Sequence, residues 1–532
     1  MSSHLTNYGA KGLINEEIVQ IHPFMPYFKL PELGLDYIVD SDTIATNDTN
    51  GYKMNERRMR VYLQKYGLSD EKVAHVIAGV FAFFREALQI ADRFDENNEK
   101  CDALSWTEEP FPLWSNYYDI AWGGLNFGEN SDRFCDYYYN ELDKVCTKHK
   151  PAVANYLAMK LIFSMDFKLD SSKFQRDYCM INFHESVPFI LSKLYLLKHF
   201  TGKTHTEIAN IVVELRKSLV FLLENANWID KDTRKEALLK ESTIVSRIGS
   251  LKDDNLTDIL IREMNNLTFV PGSYATNNIN LRKFGVYMKR YNGFHHKELS
   301  NETKPLFFLS GIWVNAYYHY FENSINVMAG ILQPPVYNEA WPNSLKFGTI
   351  GYFIGHELSH GLSGPGIGID STGKKRTWWT WTVKFVQLIL DRVNCYVNHF
   401  NNYRIPEINR TIDGYNTRFE NIADSVGLRM AMSAYQNHMK QLIRDSNSSN
   451  VLKNERMPGL DLSPDQLFYV GFAQIYCAEY REQQYWREWT DVHTTDKYRV
   501  LGAVTNDEYF AQTYNCPSGS PMNPNSSKCR LW

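Results

Sequence analysis

Gly355-His356-Glu357-Leu358-Ser359-His360-Gly361 is the stretch on which the reading of this 532-residue chain turns. If the segment is helical, its two imidazoles, four residues apart, share one face and can hold one zinc. Glu357 then lies beside the metal, which is the His-Glu-x-x-His arrangement of a zinc hydrolase. With 15 histidines in the chain, composition alone yields such a pentad in roughly one chain in forty. The reading therefore needs a third ligand elsewhere.

Glu420-Asn421-Ile422-Ala423-Asp424 offers one. A helix fits from about Ser344 to Gly361, with Gly361 and Gly364 placed to stop it, and a second fits from about Phe419 to Leu442. On the second helix Glu420 and Asp424 sit at i and i+4, so one carboxylate can reach the metal while the other braces an imidazole. A His356, His360, Glu420 set leaves the fourth tetrahedral position to water, whose pKa zinc lowers toward neutrality. The metzincin pattern needs a glycine and a histidine where this chain has Ser363 and Gly366, so it is excluded.

Composition narrows the partners. A hydrophobic fraction of 44%, a charged fraction of 22% and a net charge of -4 describe a folded chain with no electrostatic footprint for nucleic acid. The first thirty residues lack the pattern of a signal peptide, and the apolar run near Val73 to Phe84 is short for a bilayer span. The eight cysteines include no Cys-x-x-Cys pair, which favours disulfides and an oxidising compartment over a structural zinc. Asn-x-Ser/Thr sequons at Asn47, Asn255, Asn266, Asn301, Asn409, Asn447 and Asn525 lean the same way, toward an extracellular glycoprotein.

Apolar periodicity predicts a mostly helical region from Arg57 to about Arg234. Within it a Thr204-x-x-Glu207 capping box opens a helix with Ile208, Ile211, Val212, Leu215, Leu219 and Leu222 on one face. Residues 251–304 are polar and Asn-rich and read as a connector, placing a boundary near residue 300. The expected division is thus a helical lobe with connector over 1–304 and a catalytic lobe over 305–532. Phe307 to Tyr320 and Ile325 to Leu332 read as edge strands, the second ended by Pro334-Pro335, and Asp445 to Asn450 as a loop.

Several further motifs occur in a fixed order: Val314-Asn315-Ala316-Tyr317-Tyr318, then Ala329-Gly330-Ile331-Leu332-Gln333-Pro334-Pro335, the His-Glu-x-x-His segment, Glu420 to Asp424, Asp491-Val492-His493 with Arg499, and a terminal Cys529-Arg530-Leu531-Trp532. In this order the chain resembles the neprilysin and endothelin-converting-enzyme family of zinc metallopeptidases, strongly over 305–532 and more weakly through the helical half. The resemblance implies a mainly α (α+β), two-lobed helical protein around a central cavity, with a thermolysin-like zinc lobe carrying short edge strands. It implies one Zn2+ held by His356, His360 and Glu420, with Glu357 as general base and proton shuttle and Asp424 orienting an imidazole.

By the same resemblance His493 stabilises the oxyanion, Arg499 donates to a substrate carbonyl, and Asn315 and Ala316 pair with substrate backbone. Val336, Tyr352 and Phe353 surround the pocket for the residue after the scissile bond, implying an apolar preference. Substrates would be small peptides, and membrane association would require an N-terminal anchor absent from this chain. Cys395 is implied to pair with Cys529. Cys179, Cys477 and Cys516 match cysteines whose family partners lie in a segment not found before Met1. Two departures stand out. Gly361-Leu362-Ser363 replaces the family's usual Gly-Phe-Asp, which removes a carboxylate expected to brace a zinc ligand and predicts weaker zinc binding or reduced activity. Met328 replaces a usual proline. A weakly active or inactive ectodomain that binds peptides or proteins is the competing expectation.

Overall fold

The computed structural model describes residues 2–10, 12–19, 25–29, 33, 49–95, 113–123, 132–133, 136–165, 172–249, 262–295, 311–376, 383–446, 451, 454–525 and 528–532. The chain is mainly helical and divides into two compact units, Met1–Leu191 with Asp253–Phe308 and Ser192–Lys252 with Leu309–Trp532.

The first unit is organised on helix Asp70–Asp95. Its Val73, Ile77, Val80, Phe83, Phe84, Ala87 and Ile90 recur at three- and four-residue spacing and are all buried. Part of this helix, Asp70–Ala91, is long and apolar enough by composition to cross a membrane, but its apolar face is occupied. Phe83 packs edge-on against Tyr156, and Tyr138 and Leu142 join the same core. A small sheet accompanies the helices: β1 (Asn15–Val19) pairs antiparallel with β2 (Met25–Lys29), and β3 (Asp132–Arg133) runs parallel to β2.

The expected connector over 251–304 holds a 22-residue helix, Tyr274–His295, with Leu281, Phe284 and Met288 buried in the first unit. Asparagine-rich sequence masks this helix because Asn is a weak helix former, while the burial of one thin apolar face decides the outcome.

The second unit takes in residues 192–252 as well as those from 309 on, whereas the sequence places the boundary near residue 300. Helix Gly202–Glu224 buries Ile208, Ile211, Val212, Leu215 and Leu219 as its periodicity requires. Its cap is Thr201, which accepts from the Thr204 amide, and not the Thr204-Glu207 box. Glu207 instead accepts from Tyr337 and Lys346.

Downstream, β4 (Val245–Gly249) pairs parallel with β6 (Ser324–Met328), and β5 (Ala316–His319) pairs antiparallel with β6, giving the order β4-β6-β5. The second run expected at an edge is therefore the central strand, buried at all five residues. A parallel partner nearly eighty residues upstream leaves no local signal of this. Residues 301–310 lie outside the described residues.

The C-terminal part adds helix Val383–Asn401, the small hairpin β7 (Arg404–Ile405) and β8 (Arg410–Thr411), and helix Arg418–Ser446. The last of these runs past the expected end at Leu442 and past Asp445, the start of the expected loop; residues 447–450 of that loop lie outside the described residues. Cys395 and Cys529 form a disulfide across 134 residues. Cys146, Cys179, Cys477 and Cys516 are free thiols; Cys101 and Cys135 lie outside the described residues.

Candidate metal centre

The His-Glu-x-x-His residues lie on helix Tyr352–His360, which continues without a break from a short helix Asn343–Lys346 through a π-turn at Phe347–Gly351. Such turns place an extra residue in the helix and often mark functional sites. The start of this motif helix is held by Glu455, whose carboxylate accepts from the amides of Asn343 at 3.1 Å and Ser344 at 2.8 Å. A buried negative charge there satisfies orphan donors and complements the helix dipole.

The third ligand arrives on helix Arg418–Ser446, and two glycines let the helices meet. A Cβ on Gly355 would lie 2.9 Å from the Gly427 carbonyl oxygen, and one on Gly427 would lie 2.6 Å from the His356 amide nitrogen. Backbone thus packs on backbone, and Glu420, Asp424 and Gly427, on one face at i, i+4 and i+7, all turn toward the motif helix.

At that crossing three donor atoms converge. His356 Nε2 and His360 Nε2 are 3.1 Å apart, and Glu420 Oε2 lies 3.2 Å from the first and 3.4 Å from the second. Zinc bonds of about 2.0–2.1 Å at tetrahedral angles separate ligand atoms by about 3.3 Å, so the spacing fits that ion. Burial opposes ionisation of Glu420, but His356, His360 and His493 override it and hold the carboxyl well below the ordinary range. The set therefore offers an anionic oxygen and two imidazoles to a cation.

Asp424, 0% exposed, fixes the first imidazole. Its Oδ1 accepts from His356 Nδ1 at 2.8 Å, which puts the ring proton on Nδ1 and frees Nε2 for a metal. The same carboxylate takes two bonds from Arg499, Nε at 2.8 Å and Nη2 at 2.6 Å, and one from the Tyr352 hydroxyl at 2.5 Å. Tyr352 is thus committed to Asp424 in the core, with Tyr476 behind it at 2.7 Å, and is not a pocket residue. Burial works against the Asp424 anion, and Arg499 outweighs it, holding the carboxyl below its usual range.

His360 has no such brace. Among the described residues its Nδ1 is buried without a hydrogen-bond partner, and so is the hydroxyl of Ser363, itself 1% exposed.

Glu357 is buried beside the ligands and accepts from the Tyr318 amide at 2.9 Å. Burial pushes its carboxyl up, with His356 and His360 pulling the other way. That amide belongs to the edge strand β5. The Asn315 carbonyl bonds inward to the Met328 amide, so by the two-residue alternation of a ladder Ala316 and Tyr318 turn their backbone groups to the free edge. Asn315 is exposed, and its side chain accepts from the Ala316 amide at 2.9 Å.

His493 reaches the cluster from the far side, Nε2 lying 3.2 Å from Glu420 Oε2, and it is 43% exposed. Its ring is oriented by Asp491, which accepts from both the His493 amide and Nδ1 at 2.8 Å. Bonding to Glu420 raises the His493 pKa. Val336 and Phe353 are half-buried against the core of the second unit, and Phe353 packs 6.2 Å from the Tyr476 ring.

Tyr476, Glu455 and Gly427 were not singled out from sequence, and Asp491 was quoted only within the Asp491-Val492-His493 motif, with no role given to it. The Asp-x-His spacing could have found Asp491 and the i+7 position Gly427, but nothing local marks Glu455.

Two family models, both described as peptidase family M13, match residues 19–251 and 315–531. Neprilysin-2 of Drosophila melanogaster is 32% identical over 350 residues, 65% of this chain and 43% of that protein. Endothelin-converting enzyme 1 of Rattus norvegicus is 32% identical over 358 residues, 67% of this chain and 44% of its own length. The chain thus spans less than half the length of these relatives. Among solved structures, the zinc metalloprotease Zmp1 of Mycobacterium tuberculosis, in complex with inhibitor, superposes with a TM-score of 0.71 at 18% identity, covering 100% of this chain and 82% of that one. A galactose-containing glycoprotein complex of Haemonchus gives 0.71 at 19% identity, covering 100% and 84%. With both halves matched in order and the donor set assembled, the chain belongs to peptidase family M13.

Proposed function

We propose that this chain is a zinc-dependent endopeptidase acting on small peptides. The observation that carries the reading is the convergence of His356 Nε2, His360 Nε2 and Glu420 Oε2 within 3.4 Å of one another beside the buried carboxylate of Glu357. Zinc, when bound there, supplies Lewis acidity and a nucleophile at neutral pH. The protein's own groups do the rest. Glu357, enclosed and raised in pKa, takes the proton of the attacking water and returns it to the leaving amine. His493, kept in register by Asp491, donates where negative charge develops on the carbonyl oxygen. Arg499 is anchored by two bonds to Asp424, so any donation to a substrate carbonyl comes from the rest of its guanidinium.

Substrate backbone is taken to pair with the free edge of β5 at Asn315 and Ala316, a mode that reads main chain and tolerates many sequences. Val336 and Phe353 supply an apolar preference after the scissile bond. An extracellular setting, as a secreted protein or ectodomain, is supported by the disulfide between Cys395 and Cys529. Nucleic acid is not among the expected partners.

The test is peptide hydrolysis by the zinc-loaded protein and by Glu357→Gln. Retained zinc with activity lowered at least about a hundredfold supports the reading, since general acid–base groups contribute 10²–10⁴-fold. A zinc-loaded wild type whose rate the substitution leaves unchanged refutes it. One observation favours a second reading, a weakly active peptide-binding module: His360 lacks a brace on Nδ1. Binding of peptides without turnover by the zinc-loaded chain is the outcome that would select it.

A further inference from the structure

Helix Lys231–Ser242 carries a lysine that the chemistry above does not use. Lys240 is 2% exposed, and no carboxylate hydrogen-bonds to it among the described residues. Its Nζ donates to the carbonyls of Gly366 at 2.5 Å and Ile369 at 2.8 Å and lies 6.0 Å from the centroid of the Tyr318 ring. Both acceptors belong to the tight turn through which the chain leaves the motif helix, Gly364–Gly368 and the residue after it. The turn sits directly on the end of that helix: a Cβ at Gly366 would fall 1.9 Å from the His360 carbonyl oxygen, and the Gly366 amide donates to Ser363 at 2.9 Å.

A second path runs from the same residue to the base. The Lys240 carbonyl accepts from Asn323 Nδ2 at 2.9 Å, Asn323 Oδ1 accepts from the Tyr318 hydroxyl, and the Tyr318 amide faces Glu357. His356 is aimed by Asp424, whereas among the described residues His360 has no partner on Nδ1. The direction of the His360 ring therefore depends on where the backbone leaving it is held.

We propose that Lys240 is a positioning residue of the metal centre, pinning the turn over 364–369 against the end of the motif helix and so fixing both the His360 imidazole and the Tyr318 amide that meets Glu357. The inference rests on the zinc reading above. Burial, reinforced by Arg376 and opposed by Asp370, brings the amine down to about 7. The role survives loss of the proton, because a neutral amine still has two N–H groups for two carbonyls.

Lys240→Met keeps an unbranched apolar stem and removes the donors. Cobalt(II) serves as the probe, read by competition with a chelator and by the ligand-field absorption of the bound ion. The expected result is affinity weakened by about tenfold or more, the scale on which supporting shells act, with an altered cobalt spectrum. The exposed Lys217→Met should match wild type in both. A Lys240→Met protein with wild-type cobalt affinity and spectrum overturns the inference and leaves the site reading intact. A wild type that takes up neither cobalt nor zinc sinks the site and the inference with it. Should Lys240→Met fail to fold, amide exchange in the unmutated protein decides. Cobalt binding should slow exchange at Gly366 and Ile369, and identical rates with and without the ion overturn the inference.

Discussion

Replacing Ser363 by aspartate tests how the two imidazoles differ. His356 donates Nδ1 to a carboxylate, while His360 Nδ1 and the Ser363 hydroxyl, three residues apart in sequence, are both buried and without partners among the described residues. A carboxylate at 363 that accepts from His360 gains a charge-assisted bond, worth about 1.5–3 kcal/mol. It must also be buried at a position 1% exposed, three residues past a site that already holds the carboxyls of Glu357 and Glu420. Without metal that adds another negative charge to the site and should lower the melting temperature. With zinc the dication offsets the repulsion, and the brace should raise affinity by about 10- to 100-fold, or about 1.4 to 2.8 kcal/mol.

Chelator competition at fixed pH measures the affinity, and melting with and without zinc measures the two stabilities. Ser363→Ala is the control: its buried hydroxyl has no partner to lose among the described residues, so zinc affinity should stay within about twofold of wild type. Ser363→Asp that holds zinc no better than wild type would refute the reasoning, as would a tenfold loss in Ser363→Ala.

Two other outcomes follow from the same structure. Cys395→Ala opens a loop of 134 residues, and the chain-entropy relation puts the loss near 5 kcal/mol, readable as a lower urea midpoint; an unchanged midpoint counts against it. Arg499→Met leaves the Asp424 carboxylate buried with its two strongest bonds gone and should cost about 3–5 kcal/mol in urea unfolding. Asp424 is held below its usual range, so its contribution is complete above about pH 4 and is lost as the pH falls toward the depressed value. The variant should accordingly lose less stability than wild type on acidification, and an identical acid limb would contradict the assignment.

The cluster of His356, His360 and Glu420 was legible because its members obey helix arithmetic. His356 and His360, and Glu420 with Asp424, are each separated by four residues, and both segments are helical as their patterns require. What brings the two segments together is not local. The parallel pairing of β4 with β6, the membership of residues 192–252 in the second unit and the cap of Glu455 on Asn343 and Ser344 all join positions roughly 80 to 110 residues apart. Tyr352 was placed around the pocket by resemblance, together with Phe353, yet adjacent helical residues point about 100° apart, and its hydroxyl is spent on Asp424. The helix Tyr274–His295 was hidden for the opposite reason: its composition argues for a loop while its thin apolar stripe finds a core.

The crossing of Gly355 with Gly427 bears on how a chain of this kind could lose the proposed activity. All ligands could remain in place along the sequence while a single methyl group at either glycine levered the carboxylate away from the imidazoles, because nothing but hydrogen separates the two backbones there. A gene drifting toward inactivity need not touch its signature: the pentad would still read as a hydrolase, and the silence would be written seven residues past Glu420.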